Sequence, residues 1–144
     1  MAKKGLRSKK LFVLGIVLIL LALVASIAFA NGYDYYDISN HTYTRSDGVI
    51  RQEGVFSGAG MHRDNPLSVN LSHEGPIPHG SYNLKWRGTT NLGPDTVECI
   101  PTDGYSQWGR SGFYIHGGTK SEGCIIIYDA AFRRSLDGHF LIVH

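Results

Sequence analysis

Leu11–Ala30 (LFVLGIVLILLALVASIAFA) is twenty residues without a charge, and the pattern after it is altogether different. As a helix the run would be ~30 Å long, the thickness of a bilayer's hydrocarbon core. Beyond it, short apolar–polar alternations are broken by Gly, Pro and Asp-Gly, the pattern of short strands joined by turns. Tyr43–Arg45 and Val49–Val55 flank Ser46-Asp47-Gly48 and predict a hairpin. Leu67–Leu71 alternates as a half-buried strand does, and so does Ser81–Trp86, after a rigid Gly75–Gly80 turn (GPIPHG) that no helix accommodates. Thr96–Ile100, Gly112–His116, Cys124–Tyr128 and Phe140–Val143 complete the strands, with Pro101–Arg110 as a polar loop. Asp129–Leu136 predicts one short helix capped by Asp129. The expected fold is all-β, a small sandwich or barrel with one short helix, preceded by an N-terminal hydrophobic helix.

Charge divides the 144 residues at the same place. Lys3, Lys4, Arg7, Lys9 and Lys10 precede the apolar run, whereas residues 31–144 carry nine basic and 12 acidic residues, a net of −3. A nucleic-acid binder should have a basic domain, so that class is excluded. The five leading cations should stay cytoplasmic, which exports the C-terminal part. Ala28-Phe29-Ala30 fits a signal-peptide cleavage site, while the length of the apolar run favours an uncleaved anchor. The expected organisation is a basic tail (1–10), an anchor or signal peptide (11–30), a linker or first strand (31–40) and an exported domain (41–144). The domain is then expected outside the cytoplasmic membrane, either held there by the anchor or secreted after cleavage.

Export makes the two cysteines, Cys99 and Cys124, matter. A Cys99–Cys124 disulfide is one reading, and a reactive thiol is the other. His116 and Cys124 close the facing ends of two strands joined by Gly117-Gly118-Thr119-Lys120-Ser121-Glu122-Gly123. If those strands pair antiparallel, the two side chains meet across the loop mouth. The imidazole can then take the thiol proton, and the imidazolium lowers the thiol's pKa, so that Cys124 alkylates quickly near neutral pH. Gly123 and Cys124 can donate backbone N–H groups to an oxyanion, with Gly117 or Gly118 lining the approach. Cys99, in a plain strand without a nearby His, reads as a buried thiol.

Other chemistries compete. His62, His73, His79 and His116 raise a zinc site, but His73-Glu74 is followed by Gly75-Pro76-Ile77, so no H-E-x-x-H helix exists. Ser111 or Ser121 could serve a Ser–His hydrolase, although no G-x-S-x-G occurs. A membrane-tethered wall-binding module with a structural disulfide would use Trp86, Trp108 and the tyrosines to stack on sugars. His139 and His144 read as surface residues.

Phe113–Gly118 and Ser121–Ile125 (FYIHGG…SEGCI) resemble the signature of the L,D-transpeptidase catalytic domain, and Gly75–Tyr82 (GPIPHGSY) resembles its upstream segment. Phe56–Gly60 (FSGAG) and Arg110–His116 (RSGFYIH) are more similar to a compact branch that includes L,D-transpeptidase-like effectors of type VI secretion. The resemblance implies that residues 41–144 are the catalytic domain of an exported enzyme of peptidoglycan stem peptides, located in the bacterial cell envelope (anchored at the inner membrane or secreted), with Cys124 as nucleophile, His116 as base and acid, and no cofactor or metal. It implies that Ser121 and Gly123 shape the site. Where the larger family has an arginine two residues after the nucleophile, this chain has Ile126, which leaves Arg110 as a substitute carboxylate binder or an ordinary surface residue. A toxin of this kind would have an immunity protein as partner, whereas a retained membrane anchor favours upkeep of the producer's own wall.

Overall fold

The computed structural model describes residues 32–102 and 107–144; the predicted anchor or signal, residues 11–30, lies outside the described residues. Among the described residues no helix is long and apolar enough to cross a membrane.

Among the described residues nine strands form one mixed sheet: β1 (Tyr33–Asp37), β2 (Thr42–Thr44), β3 (Ile50–Arg51), β4 (Val55–Ser57), β5 (Gly80–Thr90), β6 (Gly93–Pro101), β7 (Phe113–His116), β8 (Ile125–Ile127) and β9 (Phe140–Val143), in the spatial order β3-β2-β1-β9-β5-β6-β7-β8-β4. The sheet curls until β2 and β4, near its opposite ends, touch. One continuous curled sheet therefore stands where a sandwich of two sheets was one expectation. The period-two pattern has its usual cause: Tyr82, Leu84, Val97 and Cys99 point into the core, and Asn83, Lys85 and Ile100 point out. Ile125, Ile126 and Ile127 are buried on both faces.

Local signals hold well. Asp47-Gly48 joins the antiparallel β2 and β3. The short helix α1 (Ala130–Arg134) starts at Asp129, whose carboxylate accepts from the Phe132 N–H at 2.9 Å. Residues 31–40 supply a working strand, because β1 pairs in parallel with β9 and buries Tyr36 in the core.

Leu67–Leu71 is a correction. Pro66–Ser68 is a turn of 3₁₀ helix, with Asn65 capping it through the Leu67 N–H, and Leu67 is 89% exposed. A Pro at the first helical position and an Asn before it outweigh a five-residue alternation. His139 is also more than a surface residue: its Nδ1 lies 3.0 Å from both carboxylate oxygens of Asp34, a fully buried side chain that also accepts from the Tyr43 hydroxyl.

Candidate active site

The pairing of β7 with β8 decides the geometry, and it is parallel rather than antiparallel. Ile115 lies opposite Ile125 and His116 opposite Ile126, so His116 and Cys124 are not a directly opposed pair. Alternation preserves the same face in either sense, which is why the pattern could not distinguish them. Residues 117–124 instead run back along the strand end and deliver Cys124 beside Tyr114, whose backbone N–H bonds to the sulfur. That reversal uses Gly118 (φ +116°) and Gly123 (φ +118°), conformations that L side chains rarely adopt.

Cys124 and His116 line one cleft of about 660 Å³, together with Tyr114, Arg110, Lys120, Glu122 and residues of two other loops, at 72–73 and 91–92. The His116 Nδ1 lies 2.6 Å from the Gly117 carbonyl oxygen. A carbonyl only accepts, so Nδ1 carries the proton and Nε2 is the nitrogen able to take another. Burial holds the imidazole below its ordinary value, opposed by the Gly117 bond and reinforced by the Arg133 cation. His116 is thus a neutral base at neutral pH.

Cys124 departs from the expected thiolate. Burial pushes its thiol up to about 11; the Tyr114 N–H and the Arg110 cation pull it down, while Glu122 adds to the rise. The desolvated sulfur has no compensating imidazolium at rest, because His116 is itself held neutral. Fast alkylation at pH 7 is therefore not expected, since burial keeps the thiol protonated there. The rate of iodoacetamide labelling at Cys124 should rise about tenfold per pH unit from 7 to 10. A flat rate above pH 7 would show a preformed thiolate. Cys99 is buried, its thiol raised by burial, and both cysteines are free.

The remaining site residues hold this arrangement. Ser121 is 3% exposed; its hydroxyl donates to the Cys124 carbonyl at 2.5 Å and accepts from the Gly58 N–H at 3.0 Å. Its single proton is committed, so the serine-nucleophile alternative loses Ser121 and keeps only the exposed Ser111. Arg110 is no surface arginine: at 5% exposure it donates to the carbonyls of Val69, Gly75, Pro76 and Glu122. A Cβ on Gly123 would come 2.2 Å from the Arg110 guanidinium, so Gly123 is required by space as well as by φ. The four sequence segments FSGAG, GPIPHGSY, RSGFYIH and SEGCI thus meet through Gly58–Ser121 and through Arg110.

Sequence reasoning missed Arg133. It is 3% exposed, donates to the carbonyls of Pro94, Asp95, Ile127 and Tyr128, and packs under Gly117, where a Cβ would lie 3.1 Å from it. Its helical position gave a signal: Phe132, Arg133 and Leu136 share one face, so the arginine had to point inward with them. The histidines weighed for zinc are dispersed, His62 to Ser68 and Glu74, His73 to Glu122. Among the described residues no three His, Cys, Asp or Glu side chains converge.

Residues 51–139, the stretch that contains all of these segments, match the Tlde1 domain. The chain belongs to the Tlde1 domain family. No curated protein and no solved structure matches it. A Tlde1 domain is a type VI secretion effector domain directed at the bacterial cell wall. In this Tlde1 domain the matched stretch supplies both candidate catalytic residues and the buried Arg110 and Arg133, whereas β1, β2 and β9 complete the sheet from outside it.

Proposed function

We propose that this Tlde1 domain is a cysteine-dependent peptidoglycan stem-peptide enzyme, an L,D-transpeptidase, an L,D-carboxypeptidase or both. The observation that carries the reading is the presence in one cleft of a half-buried thiol and a neutral base whose tautomer is fixed. His116 Nε2 takes the Cys124 proton as the sulfur attacks the carbonyl at the L-centre of the diamino acid. The C–N bond to terminal D-alanine breaks, His116 returns its proton to the leaving amine, and a thioester remains. Water or an amine, deprotonated by His116, then resolves the thioester and restores the thiol. Backbone N–H groups of Gly123 and Cys124 are the candidate donors to the tetrahedral oxyanion. The chemistry needs no cofactor. The substrate lies outside the cytoplasmic membrane, and the family's effector character favours a neighbour's wall over upkeep of the producer's own.

Muropeptides incubated with the purified chain should pass from tetrapeptide to tripeptide. With D-methionine present the terminal residue should exchange, because a thioester can be resolved by any well-placed amine. Chelators should leave both reactions unchanged. Trp108 at 65% and Trp86 at 42% exposure favour one other reading, a wall-binding module. Unaltered muropeptides with tight glycan binding would establish that reading instead.

A further inference from the structure

Any stem-peptide substrate brings carboxylates to the cleft, one of them on the terminal D-alanine only three bonds from the scissile carbonyl. Something cationic has to meet it, because the cleft already carries Glu122. The cations on its walls can be compared one by one. Arg110 spends its terminal nitrogens on four backbone carbonyls, and it is buried. Position 126, two residues after Cys124, holds a fully buried isoleucine. His73 is bonded to the Glu122 carboxylate at 3.1 Å, which also ties up the anion nearest in sequence to Lys120. Lys120 is exposed on the 117–124 loop and lines the cleft, and among the described residues it has no ion-pair or hydrogen-bond partner.

We propose that Lys120 is the specificity-determining residue of this cleft, binding the C-terminal carboxylate of the stem peptide through its ammonium group. The assignment rests on the stem-peptide reading above. An ammonium on a four-carbon stem suits the task, since it can follow the carboxylate as the terminal residue leaves. It also makes the cleft selective for a free C-terminus: an amide offers the ammonium no charge, and desolvating Lys120 against it is uncompensated.

The test compares three tetrapeptides with the full chain: one with a free C-terminus, one with a C-terminal amide, and one amidated only at the diamino acid's side-chain carboxylate. Release of D-alanine or D-alaninamide is measured. The unaltered chain should prefer the free acid about tenfold in kcat/KM, expressed mainly in KM. Lys120→Gln should lose that factor on the free acid and treat acid and C-terminal amide alike, and Lys120→Arg should restore the preference. Lys120→Gln that keeps the preference overturns the proposal. Lys120→Gln that stops distinguishing the side-chain-amidated peptide instead would move the contact to that carboxylate and overturn the C-terminal assignment. Failure of the unaltered chain on all three peptides would overturn the stem-peptide reading itself, and is recognised without any variant.

Discussion

Cys124→Ala should leave a folded domain whose release of D-alanine from tetrapeptide falls by about 10⁴-fold or more, because no acyl intermediate can form. His116→Ala should cost a similar factor and the double variant scarcely more, since base and nucleophile act as one unit. Cys99→Ala should keep most activity, as that thiol is a buried core group on β6. The pH dependence follows from the two shifts. His116 is held below its ordinary value, so its neutral, working form persists to lower pH and is lost only as pH falls through that depressed value. The acid limb of kcat/KM should therefore lie below ~6.5, the ordinary imidazole value. The thiol at about 11 stays protonated across the working range, so no second limb should appear near neutrality. A bell centred near pH 7 would mean a thiolate–imidazolium pair in the free enzyme. An active Cys124→Ala protein would remove the cysteine mechanism.

Much of this was legible because it is local. The Asp47-Gly48 hairpin, the Asp129 cap and the strands on either side of the His–Cys loop are set by neighbours in sequence, and the structure has all of them. The sense of the β7–β8 pairing was not legible. A loop of eight residues looks like a hairpin connection, and a parallel return normally takes a dozen or more. Only the glycines at 118 and 123 hint that the loop folds back on itself. The two arginines were misread or missed for a related reason. The carbonyls that hold Arg110 lie up to 41 residues away and those that hold Arg133 up to 39, so no short window shows either residue's surroundings. Spacing places a histidine near the Cys124 thiol but says nothing about the burial that raises it.

Arg110→Met should destabilise the domain by about 3–5 kcal/mol, a loss comparable with breaking a buried ion pair. The carbonyls of Val69, Gly75, Pro76 and Glu122 would each lose a charged donor. Methionine fills much of the volume, which offsets some of the loss, but it offers those oxygens nothing. For a domain of this size the melting temperature should fall by on the order of 10–20 °C. Arg110→Lys should be intermediate, because one ammonium cannot reach four acceptors spread over three loops. Gly123→Ala should approach the methionine variant, since its Cβ would press on the guanidinium from the other side and its φ of +118° is unfavourable for alanine. The same measurement separates two roles for this arginine. A carboxylate-binding arginine would show its loss in KM with the melting temperature unchanged. The clamp shows it in the melting temperature, with kcat falling as the Glu122–Cys124 segment loses its anchor. Thermal melts of Arg110→Met within a degree of the unaltered chain would refute the clamp.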